Sequence, residues 1–242
     1  MSEFKYSNHI AHYQADAEIS DYFEHDAFER QNIRRRYQAL MHLYTPQKTD
    51  RVLEVGSGGG PALDILQTQQ FYYYPLDIPR RNLSRIKKEA KSTVYPASAD
   101  VYNLPYADDS FEYVIMSEVL EHLENPLPAL EEIYRVLKKD GVLLLSVPYK
   151  ERIMKTVCVH CNQETPFNAH FHSFDEHKLM SLTKQAGFIG GEWLATNNKI
   201  ADRLHFNRIT RVLPFTLWRF FDRIINLVFR NKATHLVMKV QR

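Results

Sequence analysis

The chain has 242 residues, of which 44% are hydrophobic and 25% charged, and its formal net charge is +2. This length suits one α/β domain with insertions, and the nearly balanced charge gives no electrostatic argument for a nucleic-acid partner. No stretch reaches the roughly 18 consecutive apolar residues of a transmembrane helix, and the polar stretch from Met1 to Ala11 does not resemble a signal peptide. With only two cysteines the chain is not a disulfide scaffold, so the expected location is the cytoplasm.

The chain is predicted to divide near residue 50. Residues 1–50 are expected to form a helical N-terminal extension or cap, with a helix over 26–44 whose apolar residues recur at helical spacing. In residues 51–242 short strands alternate with helices, which is typical of a mostly parallel sheet flanked by helices. Strands are predicted at 51–55, 72–76, 93–97, 111–117, 142–147, 189–195 and 235–240. Helices are predicted at 61–70, 80–90, 126–139 and 175–186.

A glycine loop follows the first predicted strand. Four of the eight glycines lie between Gly56 and Gly60, after an apolar strand and before a predicted helix. Glycines in such a turn accept a positive φ and let a ligand approach the backbone closely. A turn without a ligand and a dinucleotide-binding loop are the alternatives, but the G-x-G-x-x-G pattern fails at Pro61. Glu54 at the strand end would repel a pyrophosphate and suits a cationic ligand such as S-adenosylmethionine (SAM).

A second carboxylate, Asp77, follows the second predicted strand 21 residues after Gly56. Doubly wound folds place an acid at this point to accept hydrogen bonds from ribose hydroxyls. Enzymes that use NAD share the feature, and a single Asp at a strand end also serves as a turn or cap residue. In combination with the glycine loop, the ribose role is the favoured interpretation.

The segment Glu54-Val-Gly-Ser-Gly-Gly-Gly60 resembles motif I, E/D-x-G-x-G-x-G, of class I SAM-dependent methyltransferases. The block from Ala99 to Leu123 and the stretch from Arg135 to Leu145 are similar to the next blocks of the small-molecule group that includes the quinone-biosynthesis methyltransferases. The resemblance covers about residues 50–150 in the right order and spacing. It implies SAM as the cofactor and a Rossmann-like, seven-stranded, mostly parallel sheet whose last strand is antiparallel.

The resemblance also implies site residues. Asp100 would accept a hydrogen bond from the adenine amine, with Val101 and Ile78 beside the ring. The implied cofactor-binding set is Glu54, Gly56, Ser57, Gly58, Gly60, Asp77, Ile78, Asp100, Val101, Ser117, Glu118 and Val119. His122 would face the reaction centre, either as a general base for an acceptor that must lose a proton or as a structural residue. Glu118 and Glu121 are weaker candidates for the base.

Residues 148–174 exceed a minimal α/β domain and contain Cys158-Val-His-Cys161 and His170-Phe-His172. Two cysteines and two histidines can supply the four ligands of a structural zinc ion, although the step from Cys161 to His170 is shorter than in zinc fingers. His160 could replace either later histidine. Some methyltransferases of the group carry a similar Cys pair and His-x-His-Ser-Phe stretch. Free thiols with histidines that face the substrate are the alternative, and a redox pair is disfavoured because no thioredoxin-like sequence surrounds it.

Residues 197–233 form an aromatic and basic insertion. A helix over 215–229 would have a narrow polar stripe and a broad apolar face. Packing against the domain, a lid over the substrate, a homodimer contact and a peripheral membrane contact at the inner face, all through residues 203–232, remain open. Each favours a lipid-like acceptor over a nucleic acid. The run Arg34-Arg35-Arg36 is predicted to be a solvated helix face, with contact to an anionic substrate as the alternative.

The sequence thus predicts a SAM-dependent methyltransferase that acts on a small-molecule or lipid-like acceptor. In-line displacement from a sulfonium needs mainly alignment and desolvation of the two reactants. A non-catalytic SAM-binding or scaffold subunit on the same fold is the alternative. An NAD-dependent oxidoreductase is disfavoured by Glu54 and Pro61.

Overall fold

The computed structural model describes residues 8–60, 71–90, 93–157 and 164–242. Its strands are β1 (Arg51–Val55), β2 (Tyr72–Asp77), β3 (Ala97–Ser98), β4 (Phe111–Ser117), β5 (Leu137–Pro148), β6 (Lys155–Val157), β7 (Glu164–Pro166), β8 (Ile189–Asn198) and β9 (Ala233–Gln241). Seven of them form one sheet in the order β3-β2-β1-β4-β5-β9-β8, and β6 pairs with β7. Strand β9 is antiparallel to both neighbours, whereas the pairs among β1 to β5 are parallel. The seven-stranded, mostly parallel Rossmann-like sheet is therefore confirmed.

Helices cover both faces of the sheet. They are α1 (His9–Ile19), α2 (Ala27–Leu43), α3 (Arg80–Glu89), α4 (Pro126–Val136), α5 (Glu176–Gln185), α6 (Lys199–Arg203), α7 (Phe206–Ile209) and α8 (Phe215–Val228). The helix predicted over 26–44 is α2, and the one predicted over 61–70 lies outside the described residues. Within the described ranges, no helix is both long and apolar enough to span a bilayer.

Alternating residues of each central strand belong to two hydrophobic clusters, one on each face of the sheet. Leu53 of β1 and Met116 of β4 pack with the cluster that contains α4 and α5. Val52 and Ile115 pack with the cluster that contains α2 and α3. Helix α2 therefore covers the sheet directly, because its apolar stripe is buried against β5, β8 and β9.

The bounds of two predicted elements differ from those in the structure. The helix predicted over 126–139 ends at Val136, because the backbone N–H groups of Asp109 and Ser110 donate to the carbonyls of Arg135 and Val136 at 3.1 and 2.8 Å. The chain then continues as β5 from residue 137. The strand predicted over 93–97 is reduced to a single bridge at residue 94 and the short β3, since Pro96 has no N–H to donate to a ladder.

The prediction that residues 34–36 form a solvated face is wrong for Arg35, which is 1% exposed. Its guanidinium donates to the carbonyls of Thr210 and Leu213 at 2.8 and 3.1 Å and lies over the ring of Trp218. Arg36 is half-buried, and only Arg34 of the three is exposed. A buried guanidinium needs several acceptors, and here the insertion provides them. Arg35 thus joins the N-terminal extension to residues 206–218.

Helix α8 has the opposite orientation to an ordinary surface helix. Its polar stripe faces the protein: Asp222 is 2% exposed and accepts from Thr196 and Arg219, while Asn226 accepts from Asn198. Most of its apolar residues face outward, except for the buried Trp218, and the exposed ones are Leu217, Phe220, Phe221, Ile224, Leu227 and Val228. The described residues therefore leave the broad apolar face uncovered.

Candidate active site

A cavity of about 770 Å³ lies at the carboxyl ends of β1, β2 and β4, the edge at which doubly wound sheets bind ligands. Gly56 and Gly58 line it, together with residues that follow β2, β3 and β4. The remaining wall comes from residues 168–170 and from an N-terminal wall. We use that name for His9, His12, Tyr13, Asp16 and Tyr22.

The glycine loop is fixed to the end of β2 by backbone hydrogen bonds. The N–H groups of Gly56 and Ser57 both donate to the carbonyl of Leu76, at 2.9 and 3.1 Å. Gly56 has a φ of +70°, and a Cβ at this position would collide with Val119. Both the backbone angle and the close approach therefore require glycine at position 56.

Asp77 connects β2 to the same loop. Its carboxylate accepts from the Gly58 N–H at 2.7 Å and from its neighbour Ile78 at 2.8 Å. Burial raises the pKa of Asp77, and the two N–H donors lower it. A carboxylate has about four acceptor positions, so Asp77 retains capacity for the hydroxyls of a ribose.

Asp100, which follows β3, is in contact with the N-terminal wall. Its Oδ2 lies 2.7 Å from Nε2 of His9, and its Oδ1 accepts from the N–H of Tyr102 at 3.1 Å. Val101 lines the cavity beside it. An adenine amine that binds Asp100 must therefore share or replace the contact with His9.

Glu54 does not line the cavity, contrary to the expectation that it meets a cationic ligand. It is fully buried on the α2 face of the sheet, where Tyr37 donates to it at 2.5 Å and Tyr73 donates as well. Burial raises the pKa of Glu54 to about 7, although the tyrosine hydroxyls act in the opposite direction. Direct contact with a ligand would require these hydrogen bonds to break.

The predicted cofactor-binding residues therefore divide into two groups. Those that line the cavity are Gly56, Gly58, Asp77, Ile78, Asp100, Val101, Glu118 and Val119. Those that do not are Glu54, Ser57, Gly60 and Ser117. Ser117 is buried and accepts a hydrogen bond from Arg36 at 3.1 Å, so it connects β4 to α2. The second group supports the site rather than forming its surface.

Glu118 follows β4 with a φ of +56°. Ser146 donates to one carboxylate oxygen at 2.9 Å, and Nδ1 of His235 lies 3.4 Å from the other. Burial alone would raise the pKa of Glu118, but His235 and Arg36 lower it to about 2. The site therefore holds a fixed negative charge at this strand end.

His122 lines the cavity, as predicted, and contacts His170 edge to face at a ring-centroid distance of 4.6 Å. Burial and the neighbouring His170 lower the pKa of His122 to about 4. At neutral pH its imidazole is uncharged, and such a ring can accept a proton or bind a metal.

The four predicted zinc ligands do not lie together within the described residues. Cys158 and Cys161 lie outside them. His170 Nδ1 is 2.6 Å from the carboxylate of Glu151, and His172 Nε2 is 2.8 Å from the carbonyl of Leu123. The Cys₂His₂ set stays a prediction, while the structure places His170 beside His122.

A cap from residues 1–50 was predicted, but two details of the cavity were not: which N-terminal residues line it, and the contact of His170 with the turn after β4. The N-terminal wall belongs to an extension whose polar helix α1 gives no periodic signal for a ligand contact. His170 lies close to Glu121 and His122, although nearly fifty positions separate them in the sequence. The only sequence signal for the N-terminal wall was the clustering of His and Tyr before residue 26.

The doubly wound sheet and the glycine-loop cavity define a class I SAM-dependent methyltransferase. A family profile described as "Methyltransferase domain" matches residues 23–189, more than half of the chain. The chain belongs to this methyltransferase family.

Its relatives support the same assignment. An uncharacterised protein of Methanocaldococcus jannaschii is 30% identical over 210 residues, which cover 83% of this chain and 82% of that protein. A protein of Mycobacterium tuberculosis named as a probable S-adenosylmethionine-dependent methyltransferase is 27% identical over 157 residues, 64% of this chain and 55% of the relative. A crystal structure of a SAM-dependent methyltransferase from Mesorhizobium loti has a TM-score of 0.60 at 14% identity, covering 86% of this chain and 98% of that one.

Proposed function

We propose that the chain binds SAM across the carboxyl ends of β1, β2 and β4 and transfers its methyl group to a small-molecule or lipid-like acceptor. The observation that carries the proposal is that Gly56, Gly58, Asp77 and Asp100 line the same cavity as His122. The adenosine end of SAM would lie between Asp77 and Asp100, and the methionine end over the glycine loop. The acceptor then enters beside His122 and the N-terminal wall.

The chemistry is an in-line displacement at the methyl carbon. A lone pair of the acceptor forms the new bond to carbon while the carbon–sulfur bond breaks, which converts the sulfonium to a neutral thioether. The protein contributes alignment of the two reactants, for which the glycine loop and the N-terminal wall provide two sides of the cavity. His122 lines the cavity on the side where the acceptor would enter.

Calorimetric titration with SAM, its demethylated product and NAD tests the cofactor assignment. We expect SAM and the product to bind at one site and NAD not to bind. Binding of NAD alone would overturn the proposal. Incubation of the protein with isotopically labelled SAM and a metabolite extract then distinguishes an enzyme from a scaffold, because a scaffold leaves no labelled product.

For a lipid-like acceptor, the supporting feature is the outward apolar face of α8. Together with Leu204, Ile209 and Val212, which are 68%, 73% and 80% exposed, it forms what we call the α8 surface. So many exposed apolar side chains in one segment are unusual on a protein that has no partner for them.

The charges around the α8 surface favour an anionic bilayer as its partner. The exposed charged side chains of residues 199–232 are all basic, because Asp202 is half-buried and Asp222 is buried. The exposed Lys and Arg are Lys199, Arg203, Arg208, Arg211, Arg223, Arg230 and Lys232. Apolar side chains flanked by basic ones are the pattern of helices that lie in the plane of a membrane interface. We therefore propose that α8 lies on an anionic bilayer surface.

Flotation with vesicles of neutral phosphatidylcholine, with and without about a third of anionic phosphatidylglycerol, tests this contact. We expect flotation only with anionic vesicles, and its loss in Phe220→Ser/Leu227→Ser. The matched control is Ile189→Ser, which removes an exposed apolar residue of β8 and leaves the α8 surface unchanged. A stable dimer by analytical ultracentrifugation, with no vesicle binding, would assign the α8 surface to a second copy instead.

A further inference from the structure

Three potential metal ligands lie next to the candidate active site. Glu121, His122 and His170 each offer one ligand atom, and these three atoms all lie within 4.8 Å of one another. Both histidines line the cavity. Glu121 comes from the turn after β4, and its Oε1 is 4.0 Å from Nε2 of His122.

Glu121 is a buried carboxyl without a partner. It is 0% exposed, and neither carboxylate oxygen has a hydrogen-bond partner among the described residues. Burial of a polar group is costly unless a partner compensates for the lost water, and a bound cation would supply that partner to Glu121.

His170 is oriented as metal-binding histidines are. Its Nδ1 is 2.6 Å from the Glu151 carboxylate, so the proton lies on Nδ1 and the lone pair of Nε2 is left to bind. A carboxylate behind the ring fixes its direction and makes it a better ligand.

We propose that Glu121, His122 and His170 bind one divalent transition-metal ion, with Glu151 positioning His170. Two imidazoles and one carboxylate suit ions of the Mn²⁺ to Zn²⁺ series, and such a triad leaves coordination positions open. Metal–ligand bonds of about 2.1 Å place neighbouring ligand atoms about 3 to 3.5 Å apart. Small side-chain rotations that move each ligand atom by about 1 Å would therefore complete the site.

Because both histidines line the cavity that would receive the acceptor, an ion bound by them would be accessible to the acceptor. This role rests on the proposed methyl transfer. An acceptor hydroxyl bound to the ion has a lowered pKa and releases its proton to water. Its oxygen lone pair then forms the bond to the methyl carbon as the carbon–sulfur bond breaks. The site therefore selects acceptors whose reactive group is a hydroxyl oxygen.

The test uses the full chain, freed of metal by chelator and then dialysed. Titration with MnCl₂ and ZnCl₂ is expected to show one ion per chain, with an electron paramagnetic resonance signal for bound Mn²⁺. Glu121→Gln and His170→Asn are each expected to weaken binding more than tenfold. Glu151→Gln is expected to weaken it ten- to a hundredfold through the orientation of His170.

The controls separate this site from its alternatives. His172→Asn changes a nearby histidine that contacts backbone carbonyls, and it is expected to bind the ion as the wild type does. If Cys158→Ser/Cys161→Ser abolishes binding and Glu121→Gln does not, the ion belongs to the cysteine pair and the proposal is wrong. No binding by the wild type overturns it as well. SAM affinity of the metal-free protein is measured in parallel, so that loss of the metal and failure of the cofactor assignment are distinguished.

Discussion

The guanidinium of Arg35 lies 4.9 Å from the centre of the Trp218 ring, although 183 positions separate the two residues in the sequence. The same guanidinium donates to the carbonyls of Thr210 and Leu213 and to the side chain of Gln38. The N-terminal extension and the insertion therefore form one packed unit beside the sheet.

Arg35→Met is expected to destabilise the protein by about 2 to 4 kcal/mol, because it removes the hydrogen bonds of a buried guanidinium to the carbonyls of Thr210 and Leu213 and its contact with the Trp218 ring. Urea unfolding measures the difference. The neighbouring Arg34→Met removes an exposed charge on the same helix and is expected to change stability by less than about 0.5 kcal/mol. Equal effects of the two changes would mean that the contacts of Arg35 contribute no stability.

Gly56→Ala is expected to weaken SAM binding by at least about tenfold, or about 1.4 kcal/mol. Its Cβ meets Val119 at the wall of the cavity and must displace it. Gly190→Ala is the matched control: its φ of +72° is close to the +70° of Gly56, but its Cβ meets no atom within 4 Å. Calorimetry and thermal melting of both variants separate backbone strain, which they share, from damage to the site. Wild-type SAM affinity in Gly56→Ala would remove the glycine loop from the binding site.

His9→Ala is expected to tighten SAM binding severalfold, because His9 occupies the carboxylate of Asp100 that the adenine amine would use. Asp100→Ala is expected to weaken binding at least about tenfold. Titration calorimetry measures both, and His177→Ala, which removes an exposed histidine of α5, serves as the control. If Asp100→Ala binds SAM like the wild type, the adenine does not contact this residue.

Glu54 is expected to make stability depend on pH. Its folded pKa of about 7 lies above the ordinary value of 4.5, chiefly because of burial. The folded state therefore holds the proton more tightly, so the contribution is complete below about pH 4.5 and is lost as pH rises toward and through 7. Relative to Glu54→Gln, the wild type is expected to lose roughly 3 kcal/mol of unfolding free energy between pH 4.5 and 8. Urea unfolding of both proteins across this range gives the difference, and a constant difference would show that the pKa of Glu54 is the same in the folded and unfolded states.

Features encoded by local sequence were predicted well. The apolar strands, the glycine loop after β1 and the acids after β2 and β3 depend on residues close together in the chain. The end of α4 at Val136 was missed because the donors to its last carbonyls, Asp109 and Ser110, come from a distant turn.

The orientation of α8 and the burial of Arg35 could not be predicted from the sequence pattern either. Helical spacing shows which residues share a face, but not which face meets the protein. The inward direction of Asp222 is set by Thr196 and Asn226, and that of Arg35 by acceptors in residues 210–213. For the same reason the approach of Glu121 to His170 could not be found before the fold was known.

Tyr22 packs so closely against the glycine loop that a Cβ on Gly59 would collide with the backbone carbonyl of Tyr22. A ligand held over that loop is bordered on one side by the N-terminal wall, and residues 9–22 precede the part of the chain that the family profile matches. Cofactor and spent product pass this wall as they exchange. The residence time of the cofactor, and with it the rate of repeated turnover, is therefore expected to depend on residues 9–22 as well as on the chemistry at the sheet.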